Sequence, residues 1–326
     1  MTITPVVTEH LIPNNDGWLL QARQVHRPKI LKKNLRPVII LPGYGMNSHV
    51  FGFHPAGDSM EALFTEAGYE VWSVNLRWQG TSRPISRKPI PPSLRDLVET
   101  DLPAVIHHAL RHTLTSATQV SLIGCSLGGT LAYGYMATSS EDLVGAVITI
   151  GSPLRWTQAP ALLRLVTKIP RLVRYVPTGG THALAKFGFP ILVRVPQTLS
   201  FYINPKNVDL SATNELVKTI SDPHPNLNMD LARWIQRKDL VIRDVDVNTA
   251  LQHVTKPLLV IWTPKDTIVP AAAATHALKV WGDGQNVTKL ELNHPQRWYG
   301  HADMFFGHRV KEDVFTPAIR WLDEHA

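Results

Sequence analysis

Ser121–Ala137 reads SLIGCSLGGTLAYGYMA, and its reading decides the fold. Gly124, Ser126 and Gly128 form G-x-S-x-G between an apolar run that ends as a strand and an apolar run that begins a helix. A serine on so sharp a turn needs small neighbours, because a side chain at either glycine would block close approach of strand and helix. The turn lifts the Ser126 hydroxyl clear of the sheet and into the field of the helix N-terminus. A phosphate-binding loop also uses a Gly-rich strand-to-helix turn, but this spacing fits neither G-x-G-x-x-G nor the Walker pattern.

Outward from this turn, short apolar runs alternate with longer helical stretches. Val38–Leu41, Glu70–Asn75, Gln119–Gly124 and Val144–Ile150 read as strands, and VIIL and AVITI have the unbroken apolarity of strands covered on both faces. Asp58–Ala67 and Ser93–Leu114 read as helices, the second with Ser93 as N-cap and Leu94, Leu97, Val98, Val105 and Ile106 near one face. Strand pattern resumes at Pro257–Trp262 and Val287–Leu292, and Val314–His325 forms a helical tail. The expected class is α/β: a mostly parallel central sheet flanked by helices. Residues 1–151 and 247–326 form its core, and 152–246, rich in Pro and basic residues, form an inserted lid.

The formal charge of +7 is local. Eight basic residues and no acids lie between Leu143 and Val208, leaving 25 basic against 26 acidic residues elsewhere. The basic segment is too apolar for a nucleic-acid surface, so no nucleic-acid partner is expected. In ALLRLVTKIPRLVRYV, Arg164, Lys168, Arg171 and Arg174 cover about one third of a helix circumference, with Pro170 as a kink or break. Such a helix either packs its apolar side on the core with the basic edge in water, or lies on an anionic lipid surface. Both versions favour a hydrophobic substrate.

A serine hydroxyl needs a base beside it. His301, in YGHADMFFG, follows the last strand and precedes the C-terminal helix; His294, before Pro295, is its rival, and His107, His108 and His112 belong to the Ser93–Leu114 helix. The imidazole needs a carboxylate to orient it. Asp266, in TPKDTIVP, emerges after the strand PLLVIW, whereas Asp303 sits close enough to His301 to support its loop. Donors for a developing oxyanion are the amides of Leu127, after the serine, and Tyr44, in the loop LPGYGMNS. No metal and no cofactor is expected.

Composition agrees with a folded chain able to bury a sizeable core: 326 residues, 44% apolar, with 20 Gly and 25 Pro far below low-complexity content. The single cysteine, Cys125, excludes an intrachain disulfide and suits a reducing compartment. The N-terminus lacks a basic start followed by an apolar stretch, and no apolar run reaches the ~18 residues of a membrane span, so a cytoplasmic chain is expected.

The sequence resembles the α/β-hydrolases, and within them the acid lipases of gastric and lysosomal type. The similarity is carried by SMEALFTEAGYEVWSVNLRWQGTSR, DLPAVI, GCSLGG and HADMF, over about residues 8–150 and 250–326. It implies an α/β-hydrolase fold with a helical lid, and a serine ester hydrolase acting on lipid-like esters through Ser126, Asp266 and His301, in the family's chain order. The family usually carries His-Gly where this chain has Pro42-Gly43, and the extra cysteines of the secreted animal lipases are missing. A digestive role is therefore not implied. Cys125 reads as a small packing residue beside the serine.

The expected function is a serine carboxylic ester hydrolase, lipase- or esterase-like, for medium or long acyl groups. An acyltransferase or thioesterase would use the same three residues, and a non-catalytic ligand-binding protein could keep the fold. Dehalogenase or epoxide hydrolase chemistry would need a carboxylate at 126.

Overall fold

The computed structural model describes residues 4–168, 200–294 and 296–326. Its centre is a nine-stranded sheet. Chain order gives β1 Val6–Pro13, β2 Trp18–His26, β3 Val38–Leu41, β4 Val71–Asn75, β5 Arg83–Pro84, β6 Val120–Cys125, β7 Val144–Ile150, β8 Leu258–Trp262 and β9 Val287–Glu291. Spatial order is β1-β2-β4-β3-β6-β7-β8-β9, with the short β5 against β2. From β4 to β9 every neighbouring pair is parallel, while β2 runs antiparallel to β1, β4 and β5.

The parallel strands are the apolar runs of the sequence. Every residue of β3, β4, β6 and β7 is buried, because helices cover both faces of the sheet. Alternate side chains enter two cores: Ile39 and Leu41 face one, Val38 and Ile40 the other. The first core takes α2 Leu102–His112 and α3 Leu127–Thr138; the second takes α1 Met60–Glu66 and α5 Thr316–Glu324. Cys125 is the free, buried cysteine at the end of β6.

The expected caps form. Ser59 Oγ accepts from the Ala62 amide at 3.2 Å, and Ser93 Oγ from the Asp96 amide at 3.1 Å. The predicted Ser93–Leu114 helix is not uniform: Leu94–Asp96 passes through a π turn, Leu97–Asp101, before α2. That turn aims Asp101 inward, where its carboxylate accepts from Arg77 Nε and Nη2, at 3.0 and 2.7 Å, and from Asn14 Nδ2 at 2.7 Å.

The sequence reading lacks β1 and β2. Their hairpin turns through Asn14–Gly17, with Asn15 and Gly17 at φ of +60° and +80°. Between β7 and β8 the described chain includes Ala161–Val166, Thr213–Lys218 and α4 Pro225–Arg237. This stretch packs onto the sheet domain: Leu227, Trp234, Leu240 and Ile242 belong to the first core. Of the basic helical edge expected at 161–176, Arg164 and Lys168 are described and exposed, and Arg171 and Arg174 lie outside the described residues. Among the described residues no helix is long and apolar enough to cross a membrane.

Candidate active site

The site begins at the end of β6. Ser126 stands at φ +52° and ψ −119°, outside the usual regions for an L-residue, immediately before α3. Such strain persists only where the surroundings over-determine it. Here the Ser126 amide donates to Ile150 O at 2.8 Å, and the Gly129 amide donates back to Ser126 O at 3.0 Å. The glycines are required by close packing. A methyl at Gly124 would lie 2.2 Å from Gly129 Cα, and one at Gly128 would lie 2.3 Å from Leu41 O.

His301 comes to this serine from the loop before Asp303–Phe306. Its Nε2 is 3.0 Å from Ser126 Oγ, and its Nδ1 is 2.6 Å from Asp266 Oδ2. All three residues are buried. Asp266 follows β8; its Oδ1 accepts from the amides of Ile268 and Val269 at 2.8 and 2.9 Å, which fixes the carboxylate plane. An ionised carboxylate only accepts, so Nδ1 carries the proton toward Asp266 and Nε2 is left to accept from the serine hydroxyl. This is the geometry in which an imidazole can take a hydroxyl proton.

The loop after β3 closes the opposite side. A methyl at Gly43 would lie 2.9 Å from Ser126 Cβ and 3.2 Å from Met46 Sδ, so Gly43 sets how near Tyr44 can come. The Tyr44 hydroxyl donates to Asn228 Oδ1 at 2.5 Å, and burial pushes its ionisation up to about 12. Leu127 opens α3 directly after the serine.

Beside these residues lies an apolar cavity of about 110 Å³, lined by Tyr44, Met46, Tyr202, Leu216, Ile220 and Phe306 among others. A larger groove of about 780 Å³ with mixed polar and apolar lining runs past Trp18, Arg23, Trp78 and Lys218; Ser126, Asp266 and His301 line neither this groove nor the apolar cavity, which reaches the site through Tyr44, Tyr202 and Ala302.

The other candidates stand elsewhere. His294 is exposed in a two-residue strand, its Nδ1 accepting from the Gln296 amide at 3.2 Å. His107 faces Glu141, while His108 and His112 stack on α2 beside His10, and burial with these neighbours lowers His108 to about 4. Among the described residues no group of His, Cys, Asp and Glu could hold a metal ion.

Two contributors leave little or no local signal in the sequence. Gly151, at φ +58°, leaves room at the end of β7 for the His301 loop: a methyl there would lie 2.5 Å from Met304 Cε and 3.3 Å from the His301 ring. Tyr202 brings its ring to 5.8 Å from that of His301. The G-S-P after β7 is the one trace the first of these leaves in the sequence.

Comparison with known proteins follows this geometry. Residues 36–286 match the model of the alpha/beta hydrolase fold family. A Schizosaccharomyces pombe protein named as a probable lipase is 23% identical over 98% of this chain and 78% of its own length. The Arabidopsis thaliana protein named triacylglycerol lipase 2 is 27% identical over 43% of this chain and 35% of its own. The structure of an esterase from Rhodococcus sp. ECU1013 superposes with a TM-score of 0.63 at 17% identity, covering 98% of this chain and 99% of that one. By family model, sheet order and strand-to-helix turn together, the chain belongs to the alpha/beta hydrolase fold family.

Proposed function

We propose that this protein is a serine carboxylic ester hydrolase of lipase or esterase type, with Ser126 as nucleophile, His301 as general base and acid, and Asp266 as the group that orients the imidazole. The carrying observation is the unbroken line from Ser126 Oγ through both nitrogens of His301 to Asp266, at 3.0 and 2.6 Å, in a buried setting. Relatives named as lipases support the reading.

Ser126 Oγ attacks the ester carbonyl while His301 Nε2 takes its proton. The oxyanion that develops is received by the amides of Tyr44 and Leu127. Nε2 then gives the proton to the departing alkoxide, and the acyl group remains on Ser126. Water enters, loses a proton to Nε2 and attacks the acyl carbonyl; collapse releases the acid and returns the serine. Asp266 holds the imidazole in the required tautomer throughout and stays ionised.

The apolar cavity favours a hydrocarbon acyl chain over a polar substrate. Residues 152–246 act as a lid: the Tyr44–Asn228 hydrogen bond and the Met46–Ile220 bridge attach part of them over the loop after β3.

The test is hydrolysis of p-nitrophenyl esters by wild type and Ser126→Ala. Deletion of the nucleophile should lower kcat by about 10⁴- to 10⁶-fold. A pure alanine variant that keeps most of the activity would end this reading.

A further inference from the structure

We infer that Asp303 is a positioning residue that ties the stem of the insertion, residues 201–208, to the loop carrying His301, so that the imidazole is held in line only while that stem is seated. The inference rests on the proposed role of His301.

Asp303 is fully buried, yet its carboxylate faces amides rather than a cation. It accepts from the Gly300 amide at 2.8 Å, from the Asn204 amide at 3.0 and 3.1 Å, and from Asn207 Nδ2 at 3.4 Å. Gly300 precedes His301, and Ala302 follows it. The Ala302 amide donates to Tyr202 O at 3.1 Å. Both flanks of the histidine are thus fixed to one short segment, on one side through Asp303 and on the other directly.

The rest of the contact has the same character. Asn204 Nδ2 donates to Trp298 O at 2.9 Å, the His308 amide donates to Asn207 O at 2.8 Å, and Val208 bridges Gly307. Gly300 has no space for a side chain, since a methyl there would lie 2.9 Å from Tyr202 O. The loop of His301 makes few regular backbone bonds of its own, so a buried carboxylate taking several N–H donors is its main fixed point. Truncating it leaves those donors unpaired in the interior and frees the loop.

A merely structural carboxylate and a positioning one differ in their response to pH. Burial raises the Asp303 carboxyl to about 6, against the hydrogen bonds from Gly300, Asn204 and Asn207, with Asp266 adding to the rise. His301 and Asp266 are the titratable groups on the site side, and His54, bonded to Gly307 O, and His308 are those on the outer side. A folded value above the unfolded one means that the stability Asp303 contributes is fully present below its unfolded value, near 4, and is lost as pH rises through about 6. Protonation, however, turns one acceptor oxygen into a donor and loosens Gly300 and Asn204. Acidification should therefore favour the fold through this group while it releases the histidine.

The experiment compares wild type with Asp303→Asn by proton NMR of the His301 Nδ1–H and by the rate at which a fluorophosphonate labels Ser126. The variant should stay folded, broaden or shift that resonance, and label about 10- to 100-fold more slowly, the loss expected when a reacting group is misplaced by about an ångström. The acid-limb step tied to Asp303 should vanish from its labelling profile. A folded variant with resonance and labelling unchanged would overturn the inference. Should Asp303→Asn fail to fold, Asn207→Ala removes a single donor; it should slow labelling about 2- to 5-fold by the same misplacement, and wild-type behaviour in both readouts would overturn the inference. If wild type neither labels nor cleaves esters but its resonance still responds to Asp303→Asn, the proposed function fails and the positioning role stands.

Discussion

Ser126 carries a backbone conformation that costs about 1–3 kcal/mol, held by the close contacts around it. Those contacts make the glycines more sensitive than the serine to added bulk. Gly128→Ala would drive a methyl to 2.3 Å from the backbone of Leu41, where no side chain can yield. The expected result is a loss of about 2–4 kcal/mol in urea unfolding, at or above the upper range for overpacking, together with slower labelling of Ser126. Near-wild-type stability would mean that α3 can slide away from β3. The three central residues were legible because each has a local mark: a glycine-framed serine, a carboxylate after an apolar strand, a histidine before the last helix. Asn204, Asn207 and Tyr202 have none. They reach His301 only through tertiary packing, across about a hundred residues of chain.

Among the elements, the parallel strands were readable within a residue or so, because burial on both faces leaves continuous apolar runs. The β1–β2 hairpin was not, since β1 is an edge strand with most of its residues exposed and β2 mixes glutamine, arginine and histidine into its length. Asn14–Gly17 was its one usable signal, a turn sequence suited to positive φ. The π turn before α2 was hidden for another reason: its cause is the buried pair Arg77–Asp101, which joins the loop after β4, the first hairpin and this helix. In DLPA, a segment that carries the family resemblance, Asp101 is the residue whose carboxylate accepts from Arg77 and Asn14. Asp101→Asn should cost about 1.5–3 kcal/mol, the range for hydrogen bonds to a charged group, because Arg77 keeps Asp16 at 2.6 Å as a second carboxylate partner. Urea midpoints measure this; a change below about 1 kcal/mol, the level of an exposed pair, would show that water reaches the arginine.

For the whole molecule, the α/β architecture followed from the order of strand-like and helix-like segments. The arrangement inside the insertion did not, because Pro-rich helical pieces take their places from the surfaces they meet. Substrate choice depends on those surfaces. If the cavity beside Met46 and Phe306 receives the acyl chain, each added methylene should raise kcat/KM about 3- to 4-fold, from ~0.8 kcal/mol per buried CH₂, until the space is filled. A p-nitrophenyl ester series from acetate upward, with and without detergent micelles, measures the slope and the break. A series that peaks at acetate would turn the acyl group away from this cavity.

Cys125 sits fully covered in the central strand, and burial pushes its thiol far above the ordinary range for deprotonation. For maleimide or haloacetamide reagents the native molecule therefore behaves as though it had no sulfhydryl. A dye, spin label or surface tether could be attached at any chosen exterior position through one introduced cysteine, with the natural residue left in place.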